Sequence, residues 1–199
     1  MGKPVCVPTT IDADLGRSFG ARLHALYAEM DRAYHRVSAA YGFTCDGCAD
    51  NCCWSRFHHH TLVEYLDLQA GLAQLSPRIH AGVMARARQA VQAPLDRRNP
   101  CPLLEDARCL LYGHRPMICR LHGIPHRLVR PDGKVLEGDG CAAFHARCGP
   151  AVQRLDRTRF YRQLAALETE LRAETGFSGR LHLTVAGMIA AMAPEGETP

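Results

Sequence analysis

Between Ile11 and Tyr41, the residues Leu15, Phe19, Leu23, Leu26, Tyr27, Met30 and Tyr34 recur at steps that put them on one face of a helix. The spacing predicts a long amphipathic helix, with Thr10 available to accept amide hydrogens at its start and Gly42 placed to end it. The period is lost from 43 to 60, where Gly47 and four cysteines fall in a polar run. A loop is predicted there, shaped by what its thiols hold rather than by apolar packing. Thr61-Leu62-Val63-Glu64 has the form of a capping box, in which a hydroxyl and a carboxylate satisfy the open amides of a helix start. Leu62, Tyr65, Leu66 and Leu72 continue an apolar face and predict a helix over 62–75. Ser76-Pro77 then supplies a cap and a first-turn proline for a third helix to about Val91, carrying Ile79, Val83, Met84 and Ala87.

Pro94, Pro100 and Pro102 interrupt helicity, and the segment from Leu128 to Leu136 reads as two short strands joined at Pro131-Asp132-Gly133. Leu155, Phe160, Leu164, Leu167 and Leu171 predict a last long helix from Val152 to about Thr175, stopped by Gly176. The tail after Pro194 is expected to be disordered. No unit repeats at a fixed period. The expectation is a single domain over 1–199, mainly α with a small β-hairpin. Its helices surround irregular cysteine-rich loops, with the cysteine-bearing core at about 43–148.

Composition narrows the function. A chain of 199 residues with 47% hydrophobic content can bury one sizeable core. The net charge of +4 is spread among acids rather than gathered into a run, which argues against a nucleic-acid partner. No apolar stretch approaches the roughly 20 residues that span a bilayer, and the N-terminus has no apolar export segment. Met1-Gly2 opens like a myristoylation signal, but Cys6 stands where that pattern needs Ser or Thr. A cytoplasmic protein that binds no membrane is expected. In a reducing compartment, ten cysteines point to metal binding or thiol redox chemistry rather than to disulfides.

The cysteines are clustered. Cys45-Asp46-Gly47-Cys48 has the two-residue spacing that turns two thiolates toward one ion, and Cys52 and Cys53 follow within the same polar loop. Four cysteines in nine residues of such a loop are not core filler, whereas Cys6 alone reads as a small apolar side chain. A second array holds Cys101, Cys109 and Cys119, and a third pair, Cys141 and Cys148, lies beyond the predicted hairpin. These nine thiols, Cys45, Cys48, Cys52, Cys53, Cys101, Cys109, Cys119, Cys141 and Cys148, are the candidate metal ligands. Arg115 and Arg120 flank Cys119 and are candidates to donate hydrogen bonds that offset thiolate charge. His58, His59, His60, His122, His126 and His145 lie near cysteines in sequence and read as solvent-facing or satisfied imidazoles before they read as ligands. Tyr112, Pro116 and Glu64 read as packing, turn and capping residues.

The order of these features, with Cys45 to Cys53, then Glu64, Cys101, Cys109 and the Tyr112-x-x-Arg115-Pro116-x-x-Cys119-Arg120 segment, resembles the bacterial YkgJ-type cysteine-cluster family of zinc- or iron-chelating domains. The resemblance covers about residues 45 to 120. The same signature is similar to the cysteine region of a flagellin lysine methylase, which implies that some members carry an iron-sulfur cluster and that methyl transfer occurs in longer relatives. No glycine-rich nucleotide loop is found in this chain.

Structural zinc sites usually combine two short-spaced ligand pairs, and only one Cys-x-x-Cys is present. An iron-sulfur cluster accepts clustered cysteines plus a remote one, so the donor pattern leans to an iron-sulfur cluster over zinc. The surplus of thiols over four leaves room for a second ion. Three functions compete: a redox or metal-handling accessory module with a protein partner docking on an amphipathic helix, a metal-dependent enzyme related to the protein lysine methylases, and a structural zinc protein that binds a partner.

Overall fold

The computed structural model describes residues 11–45, 52–94, 99–150 and 153–192. Cys6, Cys48, Thr10 and the tail after Pro194 lie outside the described residues.

The first helix, α1 (Ala13–Ala40), is capped by Asp12, whose Oδ1 accepts from the amides of Asp14 and Leu15 at 3.0 Å each. A carboxylate at this position does what a hydroxyl at position 10 was expected to do, and its charge also complements the positive helix end. The helix stops where predicted, at Gly42, which takes φ +59° as its amide reaches Ala39 O at 3.1 Å. Phe19, Leu23, Leu26, Tyr27, Met30, Ala33 and Val37 form its buried face.

Helix α2 (Leu62–Leu72) is shorter than predicted, because residues 73–75 close in a tight turn in which Gln74 N reaches Gly71 O and Leu75 N reaches Leu72 O. Its start is also built differently from a capping box. The Thr61 hydroxyl donates to Glu64 Oε2 at 2.7 Å, and the amides of Leu62 and Val63 are held at 2.8 and 3.0 Å by the two carboxylate oxygens of Glu168. The amides are thus satisfied from a distant helix, which frees Glu64 for another task.

Helix α3 (Pro77–Gln92) matches its sequence reading. A short antiparallel hairpin, β1 (Leu104–Glu105) with β2 (Arg108–Cys109), and the single helical turn α4 (Met117–Arg120) follow. The hairpin expected near residue 130 is present as β3 (His126–Val129) and β4 (Val135–Gly138), in register from His126 opposite Gly138 to Val129 opposite Val135. Helix α5 (Ala142–Cys148), not foreseen, begins after Cys141 and ends in Cys148.

The last long helix was expected from Val152, but α6 runs over Thr158–Thr175 and is preceded by a strand, β5 (Leu155–Asp156), parallel to β3. Leu155 N donates to Pro125 O at 2.8 Å and Arg157 N to Arg127 O at 2.9 Å, so pairing with the open edge of β3 wins these residues from the helix. Asp156 Oδ1 then accepts from Thr158 N at 2.8 Å and starts α6, which ends at Gly176 with φ +67° as predicted. A short helix, α7 (Val185–Ala190), packs against α3.

The architecture is mainly α with small β elements. Helices α1, α2 and α6 pack on one another around the fully buried Leu23, Tyr27, Met30, Leu62, Tyr65, Leu68, Phe160 and Leu171. Among the described residues no helix is long and apolar enough to cross a membrane. Among the described residues, Cys52, Cys53, Cys109, Cys119 and Cys148 stand on short elements and not on the long helices.

Candidate metal centre

Cys52 and Cys53 begin a single 3-10 turn, Cys52–Trp54. The carbonyl of Cys53 accepts from Cys101 N at 2.7 Å, which ties the second cysteine array to the first through the backbone. Cys101 O in turn accepts from Leu104 N, and Leu104 pairs with Cys109 across the β1–β2 hairpin. The two-residue turn of that hairpin has Asp106 at φ +47° and Ala107 at φ +60°, the left-handed pair that a tight hairpin demands. Cys109 is thereby returned toward Cys101.

Cys119 is carried by α4, a helix of four residues that has little stability of its own. Its first amide, Met117 N, donates to Glu64 Oε1 at 2.7 Å, and the Tyr27 hydroxyl donates to the same oxygen at 3.4 Å. Glu64 is 4% exposed and its pKa is raised, chiefly by burial, with the bonds from Met117, Thr61 and Tyr27 opposing that shift. The residue that reads as a cap for α2 therefore anchors the element bearing Cys119. Nothing in the local pattern distinguishes the two roles, since the partner that decides between them, Met117 N, is remote in sequence.

The outcome is a continuous network of thiols with Cys53 at its hub. The Cys52 side chain contacts those of Cys119 and Cys53, and Cys53 contacts those of Cys101 and Cys109. Crowding splits the acidities. Hydrogen bonds from Cys119 and Cys53 hold the Cys52 thiol far below the ordinary thiol range, helped by Arg115 and His122. The bond from Cys53 also lowers Cys109. The contact with Cys101 raises Cys53 first of all, and the contact with Cys52 raises Cys119. The shifts thus alternate in direction along Cys119, Cys52, Cys53 and Cys109. An array of this kind suits a cation that replaces those protons together.

The Arg115 guanidinium carbon lies over the Tyr112 ring, 3.5 Å from its centroid, and its charge favours the thiolates of Cys52 and Cys109. Arg120 is buried and its hydrogen bonds go elsewhere. It donates to Arg115 O at 2.7 Å, to Asp31 Oδ2 at 2.8 Å and to Gly113 O, and it lies over the Tyr27 ring. It fastens the 113–115 backbone to α1.

Three other cysteines are placed differently. Cys45 Sγ is 3.2 Å from the Tyr34 hydroxyl, and Gly123, at φ +103°, leaves the space in which Cys45, Tyr34 and Cys141 approach one another. A Cβ on residue 123 would stand 3.4 Å from Cys45 Sγ and 3.8 Å from Cys141 Sγ. Burial, the Cys45 bond and the charges of Cys45 and Cys141 push the Tyr34 hydroxyl well above the usual phenol range. Cys148, at the end of α5, points its thiol at Tyr41 O, 3.8 Å away.

The histidines divide as well. His59 is buried and pairs through its backbone with Leu183, at 2.7 and 3.1 Å, while His58 stacks on His182 at 4.1 Å. His122 packs on Phe57, His126 lies against Gly138 in the hairpin, and His145 contacts Phe144 on α5. The pairing of residue 59 with residue 183 brings α7 beside the thiols, where it helps line an open cavity of about 280 Å³ between Cys53, Cys101, Cys109, Val91, His58 and Val185. Neither α7 nor this wall was foreseen, because a six-residue helix with no amphipathic period leaves little trace in sequence.

The family model of the CxxCxxCC domain, described as a putative zinc- or iron-chelating domain, matches residues 44–163, more than half of the chain. Neither the curated proteins nor the solved structures contain a significant match. The matched span encloses the thiol network and the second cysteine group alike, and the chain belongs to this family of metal-chelating cysteine-cluster domains.

Proposed function

We propose that four of the thiols of Cys52, Cys53, Cys101, Cys109 and Cys119 hold an iron-sulfur cluster and that the protein serves as a redox or metal-handling accessory module. The observation that carries this reading is the unbroken contact network from Cys119 through Cys52 and Cys53 to Cys101 and Cys109, drawn from three separate elements and the loop that holds Cys101. An all-sulfur donor set suits iron-sulfur clusters and zinc and disfavours hard ions. Ligands supplied by a short run plus remote residues favour the cluster over zinc. A bound cluster would supply one-electron transfer.

The chain's own residues do the rest. Arg115 offsets thiolate charge, Glu64 and Arg120 hold the backbone that presents Cys119, and the 3-10 turn presents Cys52 and Cys53. The cavity against the thiols gives a partner's group a way to approach the centre. That cavity also supports a second reading, an enzyme related to the protein lysine methylases, which would show saturable binding of S-adenosylmethionine.

Anaerobic purification with visible absorption and analysis of iron, acid-labile sulfide and zinc tests the first reading. Iron and sulfide in matching amounts, with a broad visible band that bleaches on reduction, are expected. A colourless protein with stoichiometric zinc would overturn the iron-sulfur assignment.

A further inference from the structure

A second donor cluster stands on different residues and contains no sulfur. His24 from α1, Asp67 from α2 and His114 from the turn Tyr112–His114 bring one ligand atom each within 4.8 Å of one another. His24 Nε2 is 2.6 Å and His114 Nδ1 is 3.1 Å from Asp67 Oδ1, and the two imidazoles meet edge to face at 5.3 Å. Ligands about 2.1 Å from one ion are separated by about 3 Å, so this spacing suits a common metal.

Two features go beyond a pair of hydrogen bonds. Asp67 is 6% exposed, and its Oδ2 is buried with no hydrogen-bond partner among the described residues. Two imidazoles donating to Oδ1 would leave that second oxygen bare, at a cost of about 1–3 kcal/mol. The site also has room made for it. Residue 71, one helical turn after Asp67, is glycine, and a Cβ there would lie 2.7 Å from Cγ of His114. Only glycine lets the imidazole lie against α2 with Nδ1 turned to Asp67.

We propose that His24, Asp67 and His114 form a mononuclear site for a divalent first-row transition metal, separate from the cysteine centre. Two imidazoles and one carboxylate are a nitrogen and oxygen set that suits such ions. Both histidines bind as neutral imidazoles, each with its proton on the ring nitrogen that faces away from the ion, and Asp67 as carboxylate. The His24 side chain is 45% exposed, against 4% for that of Asp67, so the remaining coordination positions open to water on the α1 side. His114 lies in the chain between Cys109 and Cys119, which puts the ion beside the loop that joins two thiols of the cysteine centre.

Titration of the full-length protein, purified with its cysteine-centre metal, with Co²⁺ tests the assignment. One equivalent is expected to bind with weak ligand-field absorption and without the intense sulfur-to-cobalt band of a thiolate site. His24→Ala, a change on the exposed side of α1, and His114→Gln are each expected to weaken this binding at least about tenfold while leaving iron and zinc content unchanged. Cobalt bound only with thiolate absorption would overturn the proposal, as would equal affinity in both variants or parallel loss of the cysteine-centre metal.

Discussion

Two groups of cysteines stand within the matched span, and the chain holds them in contrasting ways. In the first group every thiol has thiols as neighbours. Its members come from separate stretches, joined by the backbone bond from Cys101 N to Cys53 O, by the pairing of Leu104 with Cys109, and by Glu64, which holds the Cys119 helix through Met117 N. In the second, the neighbours of Cys45 and Cys148 include a phenol and a carbonyl, Tyr34 and Tyr41 O. A thiol against a hydroxyl or a carbonyl already has an oxygen partner within the fold. Thiols packed on thiols are poor partners for one another, because sulfur donates and accepts weakly, and they gain most from a shared cation. Sequence spacing groups Cys45 with Cys53, whereas the fold groups Cys45 with Cys141.

The sharpest way to break this contrast is to remove one thiol from each group. Cys53→Ser takes the hub of the first network and is expected to abolish metal binding and to lower the melting temperature by more than any other single change considered. Structural metal sites contribute on the order of 10 kcal/mol to folding. Cys141→Ser, at the start of α5, is expected to keep the metal of the first group. Metal analysis and thermal melting of the two purified variants give the answer. Equal loss of metal in both would show that the two groups act as one centre.

A second test leaves the thiols alone and attacks what presents them. Glu64→Ala removes the acceptor of Met117 N and leaves that buried amide unpaired, for an expected loss of about 1–3 kcal/mol in denaturant unfolding. Because α4 carries Cys119, the same change is expected to weaken metal retention against a chelator. Glu64→Gln should be far milder. Burial already disfavours the charge on Glu64, and a glutamine oxygen still accepts from Met117 while its amide can donate to the Thr61 hydroxyl. Loss of metal in the alanine variant but not in the glutamine variant would separate anchoring from charge.

The helices were legible because their signals are local and periodic. Phe19, Leu23, Leu26, Tyr27 and Met30 of the apolar stripe of α1 are buried, and Gly42 and Gly176 end helices at positive φ where the pattern placed them. What sequence could not show depends on remote partners. Leu155 belongs to the helical period of α6, yet the open edge of β3 takes it as a strand. Glu64 fits a capping box, yet Glu168 occupies the amides it would have served. The cysteine family was legible from spacing, but which thiols meet was not, because that depends on the Cys53–Cys101 backbone bond and on the β1–β2 turn. His24, Asp67 and His114 stand 43 and 47 residues apart and share no motif.

The smallest effect sharpens the role of that turn. Asp106 and Ala107 both adopt positive φ, and aspartate tolerates this conformation better than alanine, whose Cβ crowds the following carbonyl. The turn keeps this conformation because the register it sets, Leu104 opposite Cys109 and Glu105 opposite Arg108, returns Cys109 to the thiol network. Ala107→Gly removes the crowding and is expected to stabilise the fold by about 1 kcal/mol, set against the greater freedom of glycine in the unfolded chain. If the turn is held only by the bound metal, the gain should be larger in the metal-free protein than in the loaded one. If the hairpin and the Leu110 N to Leu103 O bond hold it unaided, the two gains should be equal. Parallel denaturant titrations of the loaded and chelator-treated variant distinguish these outcomes, and equal gains would mean that the first cysteine group is shaped by the backbone before any metal arrives.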